Sequence, residues 1–268
     1  MKTKPRLLLP GGIPLLGFAG CYLAPLGMTV YYAFVHSAFD QTYAGAENFR
    51  YVAQNTYFRL GLQNLLGLGG CMVGAALLVA FLVAPLLCRH KKMALPGMAI
   101  LLLPLLIPSI SAVSLWEHVF DTNSLLSPLS SQCALITLYL WKYAGVAAVL
   151  LYTGLNKIPQ DVLDAAALDG AGKIRTYVSV RLPIAGGYVG GMVMFLVMFL
   201  LRSYKECYLL FGDYPSKKLY MVQHYMNHQY MKMNFQYVAA SAVILMALAL
   251  LAYGLCIVLM KRRRGAAV

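Results

Sequence analysis

Two histidines, His224 and His228, have the spacing in this chain that most resembles a metal site. Four residues apart on a helix, they would share one face, where imidazoles can bind a metal ion or act as a pH switch. No further metal-type cluster accompanies them, and the six cysteines show no CxxC or CxxH spacing. We therefore predict no metal site, and a surface role for both histidines in an outer loop.

Arrangements typical of enzymes do not occur in the sequence either. No Ser/His/Asp set, HExxH sequence or paired acids stand out in or beside the apolar runs, and no G-x-x-x-x-G-K-[ST] sequence is present. We predict that the chain has no catalytic residues and is not an enzyme by itself.

Polar and aromatic residues nevertheless interrupt long apolar runs in three places. Within membranes such residues are costly and usually face the interior of a helix bundle. We interpret them as a group that lines a cavity, although each one alone could pack helices or belong to an interfacial aromatic belt. The three places are Ser109, Ser111 and Ser114; Tyr139, Trp141, Lys142 and Tyr143; and Phe199, Arg202, Ser203 and Tyr204.

Lys142 is the unusual member of these groups because it is charged. A lysine inside an apolar run can extend its stem and place its ammonium group at the membrane surface. We expect Lys142 to reach the outer surface in this way. If it faces the cavity instead, it would favour an anionic ligand.

The elements that must position these residues are membrane spans. The 268 residues are 60% hydrophobic and 12% charged, whereas soluble domains carry about 25% charged residues. Several apolar runs reach the roughly 20 residues that cross a bilayer. The sequence predicts an all-α, polytopic membrane protein with one transmembrane domain over residues 1–268. Its six transmembrane helices lie at about residues 7–35, 60–87, 93–116, 132–155, 184–201 and 237–260.

The charges between the spans set the orientation. With both termini in the cytoplasm, the inner segments hold 14 Lys and Arg residues and the outer loops hold seven. Inner loops are enriched in these residues, so this orientation is favoured and places the polar segment 156–183 in the cytoplasm. The net charge of +13 is therefore explained by topology and not by nucleic-acid binding. Cys133 and Cys207 fall near the outer surface, where one disulfide between them stays open.

The segment 156–183 has the signals of a short helix. Pro159 suits a first helical position, and Asp161 and Asp164 are favoured in the opening turns by the helix dipole. Gly170 and Gly172 can end the helix by adopting positive φ. From the residues alone, this helix could be a solvated connector or a surface for another protein.

The same segment resembles the EAA loop of ABC-importer permeases. Asp164-Ala165-Ala166, Gly170 and, nine residues later, Val180-Arg181-Leu182-Pro183 follow the pattern Glu-Ala-Ala, three residues, Gly, nine residues, Ile-x-Leu-Pro. Asp164 replaces Glu and Val180 replaces Ile. Gly45-x-Glu47-Asn48-Phe49 is similar to a GxENF motif of the carbohydrate-uptake, MalF-like branch. The sequence Phe235-Gln236-Tyr237-Val238-Ala239-Ala240 is similar to that branch as well.

This resemblance implies a function and a set of partners. The chain would be the permease of a binding-protein-dependent importer for a sugar or oligosaccharide, in a bacterial or archaeal cell (inner) membrane. It would pair with a second permease subunit, two cytoplasmic ATPase subunits and an extracytoplasmic solute-binding protein. ATP and Mg would belong to the ATPases, and this chain would have no cofactor. The coupling residues would be Asp164, Ala165, Ala166, Gly170, Leu182 and Pro183.

The resemblance also implies positions for sugar contact. The matching residues are Ser109, Tyr139, Tyr143, Phe199 and Ser203, with Tyr139 and Tyr143 where the maltose pattern has Asn and Gly. Gly212-Asp213-Tyr214-Pro215 replaces the usual Gly-Gly-Pro of the outer loop, so docking of the binding protein would differ. Polyamine or phosphate-ester cargo, and a secondary transporter or channel without an ATPase, remain alternatives.

Overall fold

A computed structural model describes residue 14 and residues 16–120 and 127–265. Over these residues the chain is helical, and the one bridge between extended segments joins Val35 to Tyr43. The all-α prediction is therefore confirmed for the described part of the chain. The chain divides into two compact units, formed by residues 1–59 with 225–248 and by residues 60–224 with 249–268.

The described residues contain four helices that are long and apolar enough to cross a membrane, and up to five if a bent pair counts as one span. Residues 7–13 of the first predicted span lie outside the described residues, and residues 16–33 of it are helical. The chain is thus a polytopic helical protein, and the number six and the cytoplasmic termini stay predictions. The four stretches are Thr56–Arg89, Leu129–Leu155, Gly186–Phe211 and Phe235–Val258.

The first unit begins with a helix that is widened before a proline. A π-helical turn at Ala19–Leu23 precedes α1 (Ala24–Ala33), and Ala24 donates its N–H to the carbonyl of Ala19. Pro25 has no N–H with which to continue the regular ladder, so the irregularity lies immediately before it. The widened turn is a local adjustment of the kind that accommodates a proline in a membrane helix.

The Gly45–Phe49 motif closes the end of α1. Asn48 is buried, and its side-chain amide donates to the carbonyls of Ala33 (3.0 Å) and Val35 (2.7 Å). Gly45 has φ +58°, a conformation that glycine adopts without strain. Helix C-termini leave carbonyls without partners, so Asn48 stabilises the turn from α1 into α2 (Glu47–Gln54).

The first unit also contains most of α10 (Val222–Met231) and the first part of α11 (Phe235–Gly265). Tyr51 on α2 stacks on Tyr237 at a centroid distance of 4.1 Å. Offset aromatic stacking at this distance is favourable. Helix α2, which begins within the Gly45–Phe49 motif, is therefore in direct contact with the motif at Phe235–Ala240.

The second unit is built around one central helix. In α6 (Pro128–Leu155), 67% of the apolar stretch is buried, against 22% in α3 (Thr56–Arg89). The large apolar side chains of α3 remain exposed at Leu66, Leu78 and Leu82, as expected for a surface that faces lipid or another subunit. The other helices of this unit are α4 (Lys91–Leu106), α5 (Ser109–Val119), α7 (Gln160–Leu168), α8 (Gly186–Arg202) and α9 (Tyr204–Phe211).

Two glycines let neighbouring helices approach α6 closely. A Cβ atom at Gly145 would collide with the backbone carbonyl of Leu101 on α4. A Cβ atom at Gly154 would lie 2.6 Å from the Tyr188 ring on α8. Small residues at such crossings permit tight packing of membrane helices. These contacts fix α6 between α4 and α8.

The third predicted span, at residues 93–116, is not one continuous helix. Pro96 and Pro104 lie inside α4, but α4 and α5 meet at 95° across a break at Ile107 and Pro108. Ile107 has ψ 125°, since the ring of a following proline disfavours the helical region. Only the proline preceded by an extended residue breaks the helix, and Ser109 becomes the first residue of α5.

The fifth predicted span, at residues 184–201, is shorter than the apolar helical stretch in the structure. The apolar stretch runs over Gly186–Phe211, through α8 and α9. Glu206, which follows the predicted end of this span, is buried within α9. The outer segment that was predicted to begin at Arg202 is therefore helical as far as Phe211.

Candidate functional site

A buried ion pair lies at the centre of the second unit. Lys142 on α6 and Glu206 on α9 have their Nζ and Oε1 atoms 2.7 Å apart, and each side chain is 5% exposed. Charges inside a membrane protein are usually paired with one another. Residues far apart in sequence thus form one polar centre at the depth of the spans.

The expectation that Lys142 reaches the outer surface is wrong. Lys142 lies thirteen residues from each end of the apolar stretch Leu129–Leu155, or about 20 Å at 1.5 Å per residue. Its stem is too short for that distance, so the ammonium group depends on a partner within the protein.

Sequence reasoning missed Glu206 because the fifth predicted span ended at residue 201 and left Glu206 in an outer loop. One signal was available. A lysine in the middle of a span requires an acid at similar depth, and Glu206 lies four residues after Arg202 in a stretch that returns to apolar residues at Cys207–Phe211.

Two predicted pathway residues contact the ion pair. The Ser109 hydroxyl donates to Glu206 Oε1 at 2.8 Å and accepts from Lys142 Nζ at 3.2 Å. The Tyr143 hydroxyl lies 3.4 Å from the same Glu206 oxygen. Ser109 can make these bonds because the break at Pro108 places it at the start of α5.

The other predicted pathway residues lie next to this cluster. The Tyr139 hydroxyl donates to the Leu196 carbonyl at 2.6 Å, and the Ser203 hydroxyl donates to the Leu200 carbonyl at 2.7 Å. The Tyr143 ring is 5.0 Å from the Tyr139 ring and 4.7 Å from the Phe199 ring. The structure thus brings the five residues together, and their contact with a sugar stays a prediction.

Both tryptophans of the chain pack beside the cluster. The Trp116 ring on α5 is 5.0 Å from the Trp141 ring on α6, and its Nε1 donates to Thr137 Oγ1 at 3.1 Å. Ser111 and Ser114 on α5 are exposed. Of the three serines after Pro108, only Ser109 therefore contacts the polar centre.

The helix in the segment 156–183 is largely exposed, unlike the polar centre. Helix α7 contains no buried residue, and Asp164 and Ala165 on it are exposed. Leu168 on the same helix is 89% exposed, and Ile174 after it is 81% exposed. Exposed apolar side chains in a polar segment indicate a contact surface.

The end of α7 follows the predicted glycine termination. Gly170 has φ +75°, and the Ala171 N–H bonds to the Ala166 carbonyl at 3.0 Å, which is the 6→1 bond of a Schellman motif. Gly172 has φ −65° and precedes the next helical turn, so its predicted role as a terminator is wrong. Pro159 is the N-cap and not the first helical residue.

Helix α7 is followed by a helical connector at residues 173–184 that leads into α8. Leu182 and Pro183 are partly buried, and Leu182 packs against the main core. Tyr177 donates its hydroxyl to the Phe81 carbonyl of α3 at 2.9 Å, and burial raises its pKa above the usual value. The connector thus joins α7 mechanically to the membrane helices.

A cavity of about 690 Å³ lies between α7, the connector and the end of α3. The basic residues Arg89, Lys173 and Arg181 and the acid Asp164 contribute to its lining. Asp164 of the motif therefore shares one cavity with three basic residues.

The expected surface role of His224 needs correction. His224 is fully buried, accepts from the Met221 N–H at 3.0 Å and packs against Tyr204, so it is no surface residue. Cys207 is buried, whereas Cys133 is exposed, and all six cysteines are free. Among the described residues, no group of three or more His, Cys, Asp or Glu side chains could hold a metal ion.

Comparison with known proteins agrees with these features. The family described as "Binding-protein-dependent transport system inner membrane component" matches residues 72–265. The match includes the ion pair, α7 and the connector. The chain belongs to this family. It is therefore a permease-family chain, and its family consists of membrane subunits that are not catalytic themselves.

Relatives and solved structures extend the comparison. The permease is 24% identical over 273 residues to the diacetylchitobiose uptake permease NgcF of Streptomyces coelicolor, covering 89% of this chain and 77% of that protein. It is 27% identical over 135 residues to the trehalose/maltose permease MalF of Thermococcus litoralis, covering 44% and 46%. A chain of a bacterial ABC transporter of the acidic polysaccharide alginate shares its fold, with TM-score 0.79, 16% identity and coverage of 96% and 95%.

Proposed function

We propose that this permease is the membrane subunit of an ATP-driven importer that moves a sugar or oligosaccharide across a bacterial or archaeal cell membrane. A solute-binding protein delivers the cargo outside, and two ATPase subunits drive alternating access from the cytoplasm. A second permease subunit completes the pathway. This chain supplies no nucleotide site, so ATP and Mg bind in the ATPases.

The exposed surface of α7 carries the proposal. Its motif acid and alanine face solvent, and Leu168 is 89% exposed. Exposed small residues let another protein approach the helix closely, and an exposed leucine gains free energy when it is covered. The connector then transmits the position of α7 to α8, since Leu182 packs in the main core.

The class of cargo is supported by the relatives and by the polar centre. Two relatives take up diacetylchitobiose and trehalose or maltose according to their names. The cluster around Tyr143 and Phe199 combines aromatic faces with hydroxyl groups, as sites for polar ligands with apolar ring faces commonly do. A polyamine or phosphate ester is the alternative cargo.

Charge reversal on α7 tests the coupling. Asp164→Lys is expected to abolish recovery of the ATPase with the tagged permease in mild detergent. The matched control is Asp169→Lys, which reverses an exposed acid at the C-cap on a different face of the same helix. There a lysine is favoured by the helix dipole, so recovery is expected to match the wild type.

Two results would overturn the proposal. One is recovery of the wild-type permease from native membranes without any ATPase. The other is sugar transport by this chain alone in proteoliposomes that contain no ATP, which would indicate a secondary transporter.

A further inference from the structure

Glu206 has an uneven set of partners. The Lys142 ammonium, the Ser109 hydroxyl and the Tyr143 hydroxyl all lie at its Oε1 atom, at 2.7, 2.8 and 3.4 Å. Its Oε2 atom is buried and has no hydrogen-bond partner among the described residues. One carboxylate oxygen is therefore saturated while the other has a free acceptor.

An unpartnered carboxylate oxygen in a buried site is costly, because it has lost water and gained no donor. The space between the surrounding side chains is too small for a water molecule. Its lining is Leu135, Leu138, Tyr139, Tyr143, Ser203 and the ion pair itself. A purely structural ion pair is expected to have its remaining oxygens satisfied. The free acceptor instead points to a ligand that donates a hydrogen bond to Oε2.

The backbone next to Glu206 is interrupted on both sides of the cluster. Ser109 opens α5 directly after the 95° break, and α9 begins after the turn at Ser203 that ends α8. Discontinuous helices are a common way to form a cargo site at membrane depth. Movement at these breaks can separate α9 from α6 without unwinding a regular helix.

We propose that Glu206 is the cargo-selecting residue of the pathway and that its Oε2 atom accepts hydrogen bonds from the hydroxyls of a neutral saccharide. Lys142 holds Oε1, so the pair has no net charge and the free oxygen is an acceptor. Tyr143 and Phe199 offer aromatic faces to the apolar side of the sugar ring. This inference rests on the proposed importer function and sharpens its cargo from sugars in general to neutral ones.

The charge pattern disfavours acidic cargo. An acidic sugar would bring a second carboxylate to Oε2 in a site of low dielectric, where like charges repel strongly. The Lys142 ammonium group bonds to Oε1 and not to Oε2, so it offsets this repulsion only in part. The site therefore discriminates between neutral and anionic glycans.

Competition between probes tests the selectivity. The full complex, in lipid nanodiscs and trapped with ATP and vanadate, is incubated with an equimolar mixture of probes, and the retained compounds are identified by mass spectrometry. The neutral probes are diacetylchitobiose, trehalose and maltose, and the anionic probes are sn-glycerol 3-phosphate and an alginate disaccharide. The wild type is expected to retain neutral probes at least tenfold over anionic ones.

Glu206→Gln removes the charge and leaves Lys142 as an unpaired cation. We expect retention of neutral probes to fall at least tenfold and the ratio of anionic to neutral probes to rise at least tenfold. The matched control is Glu117→Gln, the same substitution at an exposed acid on α5, which is expected to leave both values unchanged.

A second variant separates selection from folding. Lys142→Met with Glu206→Leu removes both charges at similar volume, a replacement that folded proteins commonly tolerate. We expect this variant to assemble with the ATPase and yet to retain neutral probes at least tenfold less. Wild-type retention in this variant, or anionic probes retained as well as neutral ones by the wild type, would overturn the selection. Loss of the ATPase from the wild-type complex would overturn the importer function instead.

Discussion

The polar centre around Lys142 and the helix α7 place their charged residues differently, because the charges are buried in the first and exposed in the second. At the polar centre both ionic side chains are 5% exposed and bonded to each other. On α7 no residue is buried, and among the described residues the Asp164 carboxylate accepts a side-chain hydrogen bond from Gln160, at 2.9 Å. The polar centre has its partners within the described part of this chain except at one oxygen atom, whereas α7 leaves its polar groups exposed.

This difference determines what a mutation can reveal. A change at the polar centre alters the balance between a buried charge and its counterion, so we expect it to affect folding and, under the proposed function, cargo as well. A change on α7 is expected to leave the fold largely intact and, under the same proposal, to affect assembly. Stability measurements therefore separate the two regions, and the effects are expected to decrease from the polar centre toward α7.

Removal of one partner of the ion pair gives the largest expected effect. Lys142→Met leaves the Glu206 carboxylate buried without its counterion, and we expect the free energy of unfolding to fall by about 3–5 kcal/mol. The measurement is denaturant unfolding of the purified permease in detergent. Lys205→Met, at an exposed lysine next to Glu206, is the control and is expected to change little. Equal stability of the two variants would show that the buried pair contributes nothing.

A smaller effect is expected one turn away, where the interaction is neutral. Tyr139→Phe removes the hydroxyl that donates to the Leu196 carbonyl at 2.6 Å. Hydrogen bonds between membrane helices contribute roughly 0.6–1.7 kcal/mol, so the loss is expected to lie in that range. Tyr208→Phe, on the exposed side of α9, is the comparison. A loss as large as that of Lys142→Met would mean that this neutral hydrogen bond contributes as much to stability as the ion pair does.

The smallest effect is expected at the end of α7. Gly170→Ala forces an alanine to φ +75°, which costs about 1–2 kcal/mol. Because α7 is exposed, the cost should appear as local opening and not as global unfolding. Hydrogen exchange at the Ala171 amide is expected to accelerate at least fivefold, since 1 kcal/mol is about a factor of five. Gly172→Ala, at φ −65°, should leave exchange unchanged, and acceleration in both variants would contradict the assignment.

Sequence reasoning described α7 well because its features are local. The alanines and Gly170 lie within a few residues, and each favours one backbone conformation through its own chemistry. The helix, its termination by Gly170 and its exposed acid could all be predicted. The shift of the N-cap to Pro159 is a difference of one residue, which is the usual uncertainty of a helix end.

The polar centre could not be predicted because its contacts are not local. Lys142 and Glu206 are 64 residues apart. Their pairing requires that the helical stretch that begins at Gly186 continues past Arg202 through α9. Arg202 and Lys205, the charged neighbours of Glu206, are exposed, whereas Glu206 itself is buried. Charged residues in a short segment indicate its exposed face only if the segment is already known to be helical.

The break between α4 and α5 provides a hinge at Pro108 about which α5 can rotate. Helix α5 has eleven residues and is therefore about 16 Å long, so a rotation of about 10° at Pro108 would move its far end by roughly 3 Å. Trp116 lies toward that end and faces Trp141 on the fixed helix α6. The fluorescence of these two indoles therefore depends on the angle between α5 and α6. It can report a change in that angle without an added label.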